Sequence, residues 1–217
     1  MSSANPLDVL DAPVSTLRAL VAAGGRSART AAIALARRGD EQDLAWLLAH
    51  DDADVRVGAL WGAGPSAIGH QRARGLLGDP DPLVVEAACW ILGEVGDRDD
   101  VAVLVTSARV HEDLRVREAA IAALGSIGAP EGLDVVIDAA RNDKPAVRRR
   151  AVVALCAFDD PRADRALRAA ATDRDRQVRS VAADLLRDRG GLGVVDDEDT
   201  SGTPSGADPS PDASDRA

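Results

Sequence analysis

One phrase recurs along this chain at a nearly constant interval, and such periodicity leaves few folds open. Residues 113–128 read Asp-Leu-Arg-Val-Arg-Glu-Ala-Ala-Ile-Ala-Ala-Leu-Gly-Ser-Ile-Gly, and residues 81–96 align with them without a gap. Val147-Arg148 with Ala151 and Leu155, and Val178-Arg179 with Ala182 and Leu186, fit the same frame. Val55-Arg56 with Ala59 fits upstream, and Ala28-Arg29 with Ala32 more weakly. The shared alanine stands at 32, 59, 88, 120, 151 and 182, at spacings of 27, 29, 32, 31 and 31 residues.

Counting from the Val of each Val-Arg as zero, offsets 0, +4, +5 and +8 are small or apolar in nearly every copy. They form one face at 100° per residue, the mark of an amphipathic helix. Asp and Pro just ahead suit the cap and first turn: Asp79-Pro80-Asp81-Pro82, Asp113, Pro145, and Asp173 with Asp175. Gly93, Gly96, Gly125 and Gly128 read as helix ends. Before each such helix lies another apolar-periodic stretch: 14–21, 43–48, 67–77, 101–108, 133–140 and 163–170. A single pair cannot bury its own apolar face, so six antiparallel pairs are expected to stack into an all-α solenoid, with the shared alanine at the closest helix approach. Composition agrees. The chain's 217 residues include 42 Ala but only 3 Trp, 1 Phe and no Tyr, too few aromatics for a β-sandwich or barrel.

These residues resemble a known family. Asp-Pro-Asp-Pro-x-Val at 79–84, followed by Ala-Ala and Leu-Gly, is similar to the short HEAT repeat of the phycobilin (PBS) lyase type, over about residues 14–188. The resemblance implies a right-handed α-solenoid whose second helices line a concave face. The family it points to includes scaffolds and adaptors, phycobilin lyase subunits, an iron-dependent hydroxylase and DNA-glycosylase relatives. The hydroxylase relatives hold iron through His-Glu dyads on second helices. Here Glu86 and Glu118 follow Val85 and Arg117, and the one His-Glu pair, His111-Glu112, falls in a loop. No metal, no cofactor and no catalytic residue is therefore expected. His50 and His111, each five residues before the Val, read as loop hydrogen-bonding groups. The excess of Arg over the single Lys144, with the abundant Ala, suggests a GC-rich bacterial genome and weighs against a cyanobacterial lyase.

The net charge of −10 is unevenly spread. Residues 141–189 are net positive, between an acidic body and an acidic tail holding Asp196-Asp197-Glu198-Asp199. The expected organisation is a cap or loose segment at 1–13, the solenoid at 14–189, and a disordered tail at 190–217, whose composition buries too little apolar surface to offset chain entropy. The arginine-rich end makes nucleic-acid binding a secondary alternative. The recurring Arg56, Arg117, Arg148 and Arg179 read instead as a structural ladder to neighbouring Asp residues. Cys89 and Cys156 read as buried thiols of a cytoplasmic protein. No apolar run is long enough to cross a membrane, and the first residues lack the pattern of a secretory signal.

Two of the three tryptophans share one place in the repeat. Trp61 and Trp90 both stand at offset +6, away from the apolar face, while Trp46 sits beside Leu44, Leu47 and Leu48 and is expected in the core. Offset +2 lies next to +6. Val57, Trp61, Glu86 and Trp90 are the candidate binding surface on the concave face, extended by Glu118 and Arg149. The function expected is a protein-interaction scaffold, adaptor or regulator that binds another protein or peptide. A lyase-like or oxidoreductase-associated enzyme subunit is the alternative.

Overall fold

The structure, a computed structural model, describes residues 9–38 and 40–188. The expected segment 1–13 falls largely outside these residues, and the tail from 190 wholly so. The described residues form twelve α-helices, and no strand: α1 (Val14–Ala23), α2 (Ala28–Arg37), α3 (Glu41–Leu48), α4 (Ala53–Ala63), α5 (Ala67–Gly75), α6 (Pro82–Val95), α7 (Val101–Val110), α8 (Leu114–Ile127), α9 (Leu133–Asn142), α10 (Pro145–Ala154), α11 (Pro161–Ala170) and α12 (Arg176–Asp188). They make six helix pairs. Each second helix packs on the second helix of the next pair, from α2 through to α12. This is the α-solenoid that the repeat predicts.

Helix starts follow from aspartate chemistry. The side chains of Asp40, Asp52, Asp81, Asp113, Asp160 and Asp175 each accept the backbone N–H two residues ahead, satisfying one of the first-turn donors that no carbonyl can reach. Proline occupies the first turn of α6, α10 and α11, where its missing N–H costs nothing.

Small residues mark the closest contacts of a core otherwise filled by Leu, Val and Ile. The shared alanines Ala32, Ala59, Ala88, Ala120, Ala151 and Ala182 are all completely buried. Glycine sharpens the contact, and here one expectation is corrected. Gly93 and Gly125 do not end their helices. They lie inside α6 and α8, where the next second helix crosses. A Cβ at Gly93 would sit 2.8 Å from Ala123 Cα, and one at Gly125 would sit 2.6 Å from Ala154 Cβ. The absent side chains set the helix spacing. Gly96 and Gly128 do end α6 and α8, with φ of 75° and 65°, left-handed values that glycine adopts without a steric penalty.

An arginine ladder ties the repeats together along the loops. Arg56 bonds Asp79 through Nε and Nη2 and the carbonyls of His50 and Asp51 through Nη1. Arg117 treats Asp143, His111 and Glu112 in the same way. Arg148, with its side chain wholly buried, grips Asp173 at 2.9 and 2.8 Å and the Asp143 carbonyl at 2.8 Å. Arg179 closes the series on the Asp173 carbonyl. Two rungs depart from this pattern: Arg29 of the first repeat pairs with Asp54, with His50 in the receiving place, and the rung between the third and fourth repeats is missing. Val85 stands where the third repeat would place its arginine, and His111 stands where the fourth would place the receiving aspartate. His111 keeps the turn by accepting the Asp113 N–H on Nδ1, as His50 does for Asp52 and as the carboxylates of Asp79 and Asp173 do for Asp81 and Asp175.

Candidate interaction groove

The face formed by α4, α6, α8 and α10 carries the residues singled out by the repeat. Offset +6 is the column farthest from the apolar stripe, so a bulky side chain there is not forced into the core. Trp61 on α4 is 39% exposed, and Trp90 on α6 is half-buried against the core. Both indoles line one hollow of about 260 Å³ with Val57, Glu86, Arg29, Leu83 and Ala87. Four of the six sequence candidates thus meet at one place. Val57 is buried, so it lies at the floor of the hollow and not on its rim.

The other two candidates lie farther along. Glu118 on α8 faces Arg150 Nη2 at 3.4 Å, and that guanidinium lies 5.8 Å from the Trp90 ring centroid. Trp90 and Arg150 line a second hollow of about 420 Å³ with Gly125, Ser126, Val153 and Cys156. Arg149 points onward and donates to Gln177 at 2.8 Å. Sequence reasoning missed Arg150 as a groove residue. Its signal lay in the +3 column, which reads Ala31, Gly58, Ala87 and Ala119 before Arg150 breaks the run of small residues.

Burial and charge act on the groups around the groove. Cys89, on the buried side of α6, is fully buried, and its thiol is pushed up to about 12, first by that burial and then by the Glu86 carboxylate. Asp113 is held down at about 2 by the Arg115 guanidinium and backbone N–H. Two further expectations are corrected here. Trp46 is not core. Leu44 and Leu47 take the buried face of α3, and Trp46, 39% exposed, meets the His50 ring edge-on at 6.0 Å. Cys156, in the short 3-10 turn after α10, is only half-buried and lines the second hollow.

His70, Asp97 and Asp100 are the group of described residues whose donor atoms could share a metal ion. His70 Nε2 lies 2.6 Å from one oxygen of the fully buried Asp100, and Arg74 Nε lies 3.1 Å from the other. Two pairs earlier on the same row of first helices, Arg18 grips buried Asp43 at 2.7 and 2.9 Å. Asp43 and Asp100 hold equivalent places, each three residues after a helix-start aspartate, so the cluster repeats a bridge between neighbouring first helices. The basic block is also changed by folding. Arg148 is buried, Arg150 lies on Trp90, and Arg162 pairs with Asp134 and Asp160, so these leave the candidate phosphate-binding face.

A family model described as HEAT repeats matches residues 41–120 and 101–187. No curated protein matches the chain. Among solved structures, the Escherichia coli protein YibA is similar at 17% identity and a TM-score of 0.57 over 76% of this chain, which spans 64% of that protein's length. An engineered protein is similar at 20% identity and a TM-score of 0.51, covering 84% of this chain and 86% of its own. A designed armadillo repeat protein, in complex with the peptide (KR)4, is similar at 18% identity and a TM-score of 0.50, covering 85% of this chain and 99% of its own. No described helix is long and apolar enough to cross a membrane. The matched repeats span most of the chain, which belongs to the HEAT repeat family.

Proposed function

We propose that this protein is an interaction scaffold or adaptor that binds a partner protein or peptide on the concave face of its second helices. The observation that carries this reading is the hollow where Trp61 and Trp90, at one offset in adjacent repeats, open beside Glu86 over Val57. Large, partly exposed aromatics on a rigid scaffold are favoured interface anchors, and helices that are already ordered lose little entropy on binding. Glu118 and Arg149 extend the surface along the next repeats. The designed armadillo neighbour, in complex with the peptide (KR)4, supports a peptide as one kind of partner.

The finer kinship, to the phycobilin-lyase type, rests on Asp79-Pro80-Asp81-Pro82. In this fold that motif receives Arg56 and caps α6, so it reports a helix start more than a chemistry. The cytoplasm remains the compartment of this reading, from the sequence alone. The test is affinity purification of the partner from the native cell with wild type and with Trp61→Ala/Trp90→Ala. Loss of a stoichiometric partner from a folded double variant supports the groove. An unchanged partner set overturns it.

A further inference from the structure

A carboxylate that is partly withdrawn from water gains from a cation beside it. Glu118 has one. Its carboxylate faces Arg150, and the same guanidinium lies near Trp90. In repeat coordinates this is an indole at +6, a glutamate at +2 of the following repeat, and an arginine at +3 of the repeat after that. One repeat earlier the same columns hold Trp61, Glu86 and Ala119. The indole and the carboxylate are retained, and the cation is replaced by a buried methyl group.

Glu86 has no hydrogen bond or ion pair among the described residues. The neighbouring charges are already matched. Arg29, which lines the hollow, pairs with Asp54 at 3.2 Å. Arg115, which feels the Glu86 charge, pairs with Asp113 at 2.8 Å. One negative charge is left over in a hollow walled by two indoles, whose faces attract cations. The hollow of about 260 Å³ suits one long side chain and not a folded domain.

We propose that the hollow between Trp61 and Trp90 takes one Lys or Arg side chain of an extended partner peptide, its charge set against Glu86. This rests on the partner-binding reading above and names the chemistry of the partner. The repeat that holds Arg150 satisfies its own site; the repeat before it leaves the same site for a partner to fill.

The test uses the full chain labelled with nitrogen-15, with its three indole N–H signals assigned by single Trp→Phe variants. The probe is a short peptide of alternating Lys and Arg, with Asp/Glu and Gly/Ser peptides of equal length as controls. The basic peptide is expected to move the Trp61 and Trp90 signals to saturation and leave Trp46 in place. Glu86→Gln should weaken binding roughly ten-fold, the loss of one charge-assisted contact. Glu112→Gln, which removes the same charge from an exposed loop, should leave the affinity unchanged. Equal shifts with the Gly/Ser or Asp/Glu peptide, or equal affinities for wild type and Glu86→Gln, overturn the proposal. Failure here is distinct from failure of the groove. A native partner lost by Trp61→Ala/Trp90→Ala but kept by Glu86→Gln refutes the cation site and leaves the interaction surface standing.

Discussion

Arg148→Met removes the most deeply buried rung of the ladder. The arginine makes two charge-assisted bonds to Asp173 and one bond to the Asp143 carbonyl, with no part of its side chain exposed. Methionine fills most of the stem volume but replaces none of these bonds. Asp173, itself 10% exposed, keeps only the Asp175 N–H as partner. Each charged bond is worth about 1.5–3 kcal/mol, and breaking a buried pair from one side costs about 3–5 kcal/mol. A loss near the low end, about 3 kcal/mol, is expected because the Asp175 bond remains.

The assay is urea unfolding followed by far-UV circular dichroism, with hydrogen exchange to locate the loss. Exchange should rise in α9 to α12 and leave α1 to α4 almost unchanged, because repeats feel only their neighbours. Acid supplies a second check. The hydrogen bonds from Arg148 hold the Asp173 carboxyl below its ordinary range. A carboxyl lowered in the folded state stabilises above its unfolded pKa of roughly 4 and loses that contribution as pH falls through the folded value. The difference between wild type and Arg148→Met should therefore be full at about pH 7 and shrink below roughly pH 4. Arg148→Met/Asp173→Leu removes both charges and should recover part of the loss. A single variant within about 0.5 kcal/mol of wild type, or strictly additive losses in the double variant, would refute the view that the rung is a coupled buried pair.

Three other perturbations test other parts of the fold. Gly125→Ala gains about 1 kcal/mol of helix propensity but drives a methyl group into Ala154, an overpacking worth about 1–3 kcal/mol. A lower melting temperature is expected, and a stabilised variant would show that α8 and α10 are not in contact at that point. Val85→Arg alone buries an unpaired guanidinium and should destabilise, whereas Val85→Arg/His111→Asp supplies both halves of the missing rung. A double-mutant cycle should give a favourable coupling of about 1 kcal/mol or more, and a coupling of zero refutes the assignment of that gap. The Cys89 thiol, buried and pushed up to about 12, should resist iodoacetamide in the native protein while Cys156 reacts. Peptide mapping that finds Cys89 alkylated first would contradict its burial.

How far the sequence speaks depends on what each residue answers to. The helix pairs were legible because their determinants are local or periodic. An aspartate two residues before a free N–H and an alanine in every copy at +4 act within one repeat. Gly93 and Gly125 were misread because a glycine near a helix end has two physical uses, a left-handed turn or a close crossing, and only the neighbouring helix decides between them. Trp46 was misread for a related reason. Leu44, Leu47 and Trp46 all look apolar in line, but the buried stripe of this eight-residue helix takes Asp43 and the two leucines and leaves Trp46 outside. The groove was half legible. Comparing one offset across repeats found Trp61 and Trp90, because a solenoid turns a column of equivalent positions into a row on one face. What the columns could not show singly was the relation between them. Glu86 becomes informative only when Glu118, Arg150 and Trp90 are seen together one repeat later, with Ala119 in the arginine's place. In a repeat protein the neighbouring copy is an internal control, and the site departs from its own copies at the one group that a partner can supply.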